Sequence, residues 1–159
     1  MIVSEFCIDI GDIVESPLDT PVDPLDELTH FELGIKEFCY SNNRHVRIRV
    51  GSVSVPCELY PDIYMVLEDI PHVLLALREH RESALNLYEA SRAFEFHPLD
   101  SMVVCIYRVW GYTHYVQEFI VPRDSVVQVV DHLFNWVLSS AASKGYITIE
   151  EAGTNFNEP

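Results

Sequence analysis

Between residues 45 and 57 hydrophobic and polar side chains alternate strictly. Val46, Ile48 and Val50 are separated by His45, Arg47 and Arg49, and Val53, Val55 and Cys57 resume the alternation after Gly51 and Ser52. A period of two is that of a strand with one buried face. Glycine followed by serine suits the centre of a type II′ turn. The spacing predicts a hairpin that sets Val50 opposite Val53, Ile48 opposite Val55 and Val46 opposite Cys57.

Weaker alternation predicts further strands. Residues 2–9 read as the first. Residues 30–40 read as a second, with Phe31, Leu33 and Ile35 on one face, Phe38 and Tyr40 on the other, and a bulge near Lys36 and Glu37. Strands are expected over 84–90, 92–98, 102–110 and 112–121, with turns at His97–Asp100 and at Gly111. The 102–110 segment is apolar on both faces: Val103, Cys105, Tyr107 and Val109 on one, Met102, Val104, Ile106 and Trp110 on the other. A strand of that kind is central, with both faces at least partly covered. A helical layer is one cover; a partner is a candidate for the other.

The period changes to 3.6 in two places. Ile63, Val66, Leu67, Ile70, Val73, Leu74 and Leu77 predict a helix over 61–82, with Pro61 in its first turn and a kink or split at Pro71. Val126, Val127, Val130, Leu133, Phe134, Val137, Leu138 and Ala141 form one broad stripe and predict a helix over 124–143. Asp124 or Ser125 is the expected cap, and Lys144-Gly145 the stop. Residues 10–28 carry Pro17, Pro21 and Pro24 and read as an acidic, proline-stiffened loop; residues 150–159 read as a frayed tail. The expectation is one α+β domain over 1–159: a single antiparallel sheet of about six to eight strands packed by the 61–82 and 124–143 helices.

The charge changes the picture most. The chain carries a net charge of −15. Roughly 2–8 units keep a small domain in solution, and an excess repels itself. Every Asp, Glu, Lys or Arg before Lys36 is acidic: Glu5, Asp9, Asp12, Glu15, Asp19, Asp23, Asp26, Glu27 and Glu32. So acidic a chain lacks the basic footprint of direct nucleic-acid binding and the attraction to anionic membranes. The N-terminal residues lack the pattern of a signal peptide, and no apolar run approaches a membrane span, so the expected location is the cytoplasm.

Candidate chemistry is sparse. Cys7, Cys39, Cys57 and Cys105 are scattered within apolar runs and lack zinc-type spacing, which reads as buried reduced thiols. The six glycines are isolated, so no phosphate cradle is expected. His72 and His80 lie two helical turns apart, too far to share one ion. No cofactor and no metal is expected. His114 and Glu118 share a face of the 112–121 strand and form the best acid–base candidate, provided His97 or Glu95 joins them from a neighbouring strand.

The acids and aromatics read as a docking surface. Complementary charge steers association and rejects wrong partners, and aromatic anchors dominate interface energy. The candidate partner-binding residues are Asp12, Glu15, Asp19, Asp23, Asp26 and Glu27 in the acidic segment and Trp110, Tyr112 and Tyr115 at the Gly111 turn.

The run VGSVSVPCELYPDIYMVLEDIPHVLLALRE, with FEFHPL, VVCIYRVW and VPRDSVVQVVDHLFNWVLSSA after it, orders a hairpin, a helix, a strand meander and a closing helix. In this organisation, in length and in acidity the chain resembles the small immunity proteins of bacterial contact-dependent toxin systems. The resemblance covers most of residues 45–143 and carries no functional residue over. It implies stoichiometric inhibition of a basic toxin, such as a nuclease, by covering its active surface. The alternatives are a nucleic-acid mimic of the anti-restriction type, a small enzyme with a His114/Glu118 pocket, and a homodimeric adaptor.

Overall fold

The computed structural model describes residues 2–15, 27–111 and 115–154. The strands are β1 (Phe6–Ile13), β2 (Arg44–Val50), β3 (Val53–Glu58), β4 (Ser83–Leu87), β5 (Arg92–Leu99), β6 (Met102–Val109) and β7 (Val116–Pro122). The helices are α1 (His30–Ser41), the single turn α2 (Tyr64–Val66), α3 (Ile70–Arg78), α4 (Arg123–Ser143) and α5 (Ile149–Thr154).

The fold is α+β, but its strands form two antiparallel sheets: β1-β2-β3 and β4-β5-β6-β7. The expected single sheet is therefore split. Phe6 joins the two sheets, with its ring edge-on to Phe94 and Phe96 at centroid distances of 6.0 and 5.6 Å. Val3 pairs with Ile120 beside β7, so the chain starts on one sheet and crosses to the other as β1. Gly51 (φ +54°) lies against the Phe119 ring, and a Cβ there would overlap it.

The hairpin has the expected register, Val50 with Val53, Ile48 with Val55 and Val46 with Cys57. All six side chains are buried. The first strand runs further than the alternation indicates, to Ile13, so residues 10–13 are strand and not loop.

Residues 30–41 are helix, not strand. Thr29 caps the helix: its Oγ1 accepts from Glu32 N–H at 3.1 Å. Phe31, Ile35 and Phe38 are buried at i, i+4 and i+7, and the apparent strand bulge is the mark of that helical period. Gly34 lets the helix approach the chain at Tyr146 and Ile147.

The 61–82 segment is broken into pieces. A wide turn at Leu59–Ile63, with Tyr60 extended, leads into α2, and α3 begins at Ile70. Pro71 has no N–H to give to Leu67, and it sits in the first turn of α3, where that loss is harmless. The break thus precedes Pro71, and i→i−3 bonds bridge it: Asp69 N–H to the Val66 carbonyl at 3.0 Å and Ile70 N–H to the Leu67 carbonyl at 3.3 Å. The helix ends at Arg78, four residues early, in a Schellman turn with His80 at φ +56° and Arg81 N–H bonded to the Ala76 carbonyl at 2.8 Å.

Helix α4 buries the predicted stripe apart from Val127, which is half-buried. Pro122 occupies its cap position in place of Asp124 or Ser125, without a side-chain cap. Gly145 (φ +82°) ends it as expected, with Tyr146 N–H bonded to the Ala141 carbonyl at 2.9 Å. Residues 149–154 are helix rather than frayed tail. Thr148 and Glu151 form a reciprocal capping box, with bonds of 3.0 and 3.3 Å.

Candidate interaction surface

Of the predicted docking residues, Asp19, Asp23, Asp26 and Tyr112 lie outside the described residues. Asp12 on β1 is exposed, as are Glu15 and Glu27. Asp12 borders a cavity of about 480 Å³ on the outer face of the first sheet, together with Asp9, His45, Arg47 and Pro56. That face is the basic part of an acidic chain. Arg49 pairs with Asp9 at 2.8 Å, Arg47 donates to Ser54 Oγ at 2.8 Å, and Arg44 donates to the Gly11 carbonyl at 3.2 Å. Asp12 therefore shares its cavity with the Arg47 cation.

Trp110 and Tyr115 sit at one end of the second sheet. Trp110 is half-buried against Tyr88, centroids 5.2 Å apart, and its backbone N–H donates to the Ser91 carbonyl at 3.0 Å. Tyr115 is half-exposed and edge-on to Tyr107 at 6.1 Å. The second sheet has one closed and one open face. Val103, Cys105 and Tyr107 point into the core, whereas Val104, Ile106 and Ile120 are only partly covered and Val116 is exposed.

Of the acid–base candidates, Glu95, His97 and Glu118 lie on that open face. His114 lies outside the described residues. Glu95 and Glu118 both pair in register with Ile106 from opposite sides, so a whole strand separates them, about 10 Å. Arg108 Nε donates to both oxygens of Glu95 at 2.8 and 2.7 Å. His97 lies between two acids, its Nδ1 3.0 Å from Glu82 and its Nε2 3.9 Å from Glu95.

All four cysteines are free; Cys39, Cys57 and Cys105 are buried, and Cys7 is half-buried. Burial pushes the Cys57 and Cys105 thiols up to about 12. Among the described residues no group of three or more His, Cys, Asp and Glu could hold a metal ion. No described helix is long and apolar enough to cross a membrane.

The site that the periodicity missed is a groove of about 280 Å³ between α1 and α2. Phe31 and Ile35 from α1 and Leu67 after α2 form its buried floor; Tyr64 and Met65 form a wall; Glu32 and Glu68 stand exposed on its rim. Leu28, next to Glu27 of the acidic segment, closes one end. A line of tyrosines backs the wall: Tyr40 is edge-on to Tyr60 at 5.3 Å, and Tyr60 lies 5.7 Å from Tyr64. Burial, with smaller contributions from Tyr60, Cys39, Glu32 and Glu68, pushes the Tyr64 phenol up to about 12. The phenol is thus neutral, with Glu32 and Glu68 within electrostatic reach of it. The groove was hidden because residues 30–40 read as a strand. The Thr29–Glu32 cap and the Phe31, Ile35, Phe38 spacing are the signals that locate it.

Comparison with protein-family models, with curated proteins and with solved structures returns no match.

Proposed function

We propose that this chain is a binding protein that neutralises a basic protein partner, in the manner of an immunity protein that covers a toxin domain in the cytoplasm. The observation that supports this reading is the placement of uncompensated acid beside an apolar groove. On the sheet faces Asp9 holds Arg49 and Glu95 holds Arg108. Glu27, Glu32 and Glu68 pair with no cation among the described residues, and they surround the α1–α2 groove or adjoin it. Exposed unpaired charge of one sign accelerates encounter with the opposite sign, while an apolar floor slows departure.

The charge pattern favours a local docking site over mimicry of a nucleic acid. A mimic needs a long row of phosphate-like acids, and the outer face of the first sheet carries His45, Arg47 and Arg49 instead.

The test is affinity capture from a lysate of the source organism at low salt, followed by identification of the bound protein and stopped-flow association. The expected partner is basic, binds one to one, and associates more slowly as salt rises. A neutral or acidic partner, or an association rate indifferent to salt, overturns the reading.

A further inference from the structure

The α1–α2 groove is small. At about 280 Å³ it falls at the lower limit of ligand pockets, which run from about 300 to 1,000 Å³. It fits one long side chain rather than a cofactor. Its floor is apolar, made by Phe31, Ile35 and Leu67, and its rim is anionic, made by Glu32 and Glu68. An occupant that satisfies both needs an apolar stem and a cationic head. Lysine and arginine have that form and bury their methylenes while the charge stays at the surface.

Arginine fits better than lysine here. Tyr64 is a neutral aromatic wall within reach of the charges of Glu32 and Glu68. A planar guanidinium stacks on an aromatic face and sheds water more readily than an ammonium. It also offers donors on two edges, so the two carboxylates can be met together.

We infer that the groove between α1 and α2 is an arginine-side-chain receptor, in which the stem lies on Phe31, Ile35 and Leu67 and the guanidinium meets Glu32, Glu68 and the Tyr64 ring. The inference rests on the basic-partner reading for the source of the arginine and adds the place where that partner is anchored. The acidic segment steers; the groove holds.

The test is an NMR titration of the isotope-labelled full chain at low ionic strength. The probes are N-acetyl-arginine amide, its neutral isostere N-acetyl-citrulline amide, and N-acetyl-lysine amide. The expected result is saturable shifts at Ile35, Met65 and Leu67 with arginine, about fivefold weaker binding of citrulline, and lysine in between. The double variant Glu32→Gln/Glu68→Gln alters two exposed side chains and keeps the fold; in it the preference for arginine over citrulline disappears. Equal binding of arginine and citrulline, stronger binding of lysine, shifts confined to another surface, or no saturable shift at all overturns the inference. The two readings fail separately. A captured neutral partner with an intact arginine titration removes only the basic-partner reading. A basic partner that binds Glu32→Gln/Glu68→Gln as tightly as the native chain removes only the groove.

Discussion

Asn43 holds the main chain of Tyr60 on both sides: its Oδ1 accepts from Tyr60 N–H at 2.9 Å and its Nδ2 donates to the Tyr60 carbonyl at 3.2 Å. The same amide donates to Glu58 Oε2 at 3.1 Å. Asn43 is buried between α1 and β2, so one side chain ties that turn to the bend where β3 leads toward α2. Tyr60 is thereby held against Tyr40 and Tyr64, and the wall of the groove inherits its position from this amide.

Replacing Asn43 tests that relationship. Asn43→Ala removes the bonds and leaves Tyr60 N–H buried without its acceptor, a cost of about 1–3 kcal/mol. Asn43→Asp keeps the shape but sets a carboxylate oxygen against the Tyr60 carbonyl and Glu58, where nothing donates. Asn43→Asp is therefore the less stable variant at pH 7 and recovers on acidification, when the new carboxyl regains a proton to donate. Urea midpoints at pH 7 and pH 5 measure both effects.

Asp62 imposes a pH dependence of its own. Its Oδ2 accepts from Glu58 N–H at 2.8 Å, which favours the anion. Burial outweighs that bond, Glu58 and Glu89 add to the burial effect, and the carboxyl titrates above its ordinary 3.8. The folded state therefore holds this proton more tightly than the unfolded chain does. Stability falls as pH rises from 3.8 through the raised native value, and the penalty persists above it. Asp62→Asn retains an oxygen for Glu58 N–H and loses the penalty. Its urea midpoint is expected to exceed that of the native chain at pH 7, with the difference shrinking toward pH 4. A constant difference across that range would contradict the assignment.

How much of this was legible in the sequence depended on whether one periodicity was unambiguous. Residues 45–57 alternate through a glycine turn, and register and burial follow. Residues 30–40 satisfy two periods at once: Phe31, Leu33 and Ile35 alternate, while Phe31, Ile35 and Phe38 make a helical stripe. The Thr29 cap decides between them, and the alternation does not contain it. The division into two sheets is set by contacts distant in sequence, such as Phe6 with Phe94, to which local patterning is blind. The groove needed both α1 and the break before α3, so it was invisible once residues 30–40 read as a strand. The partial cover of the second face of β6 was readable, because Met102, Val104 and Ile106 are apolar where a solvated strand would be polar.

Gly34 is a second structural control, on the position of α1 against residues 146 and 147. It lies inside α1, where alanine ordinarily gains about 1 kcal/mol over glycine. Here an added Cβ would press on the Tyr146 carbonyl and come within 2.9 Å of Ile147 Cγ2. Backbone on one side and a buried side chain on the other leave little room to yield. Gly34→Ala is expected to destabilise by about 1–3 kcal/mol, as overpacking does, and a thermal melt reads the sign directly. A raised melting temperature would mean that the 146–147 segment moves away freely.

Steering and anchoring make different kinetic predictions. Reversing Asp19, Asp23, Asp26 and Glu27 to lysine changes eight units of charge (four residues, two each) in the segment that ends beside the groove. Rim charges act on encounter, so association at low salt slows by on the order of tenfold and its salt dependence flattens, with dissociation little changed. Glu32→Gln/Glu68→Gln alters the rim of the pocket itself and is expected to raise the dissociation rate more than it lowers the association rate. Surface plasmon resonance across a salt series with the captured partner separates the two. Association unaltered by the four reversals would take the acidic segment out of the interface, and the surplus charge would then serve solubility alone.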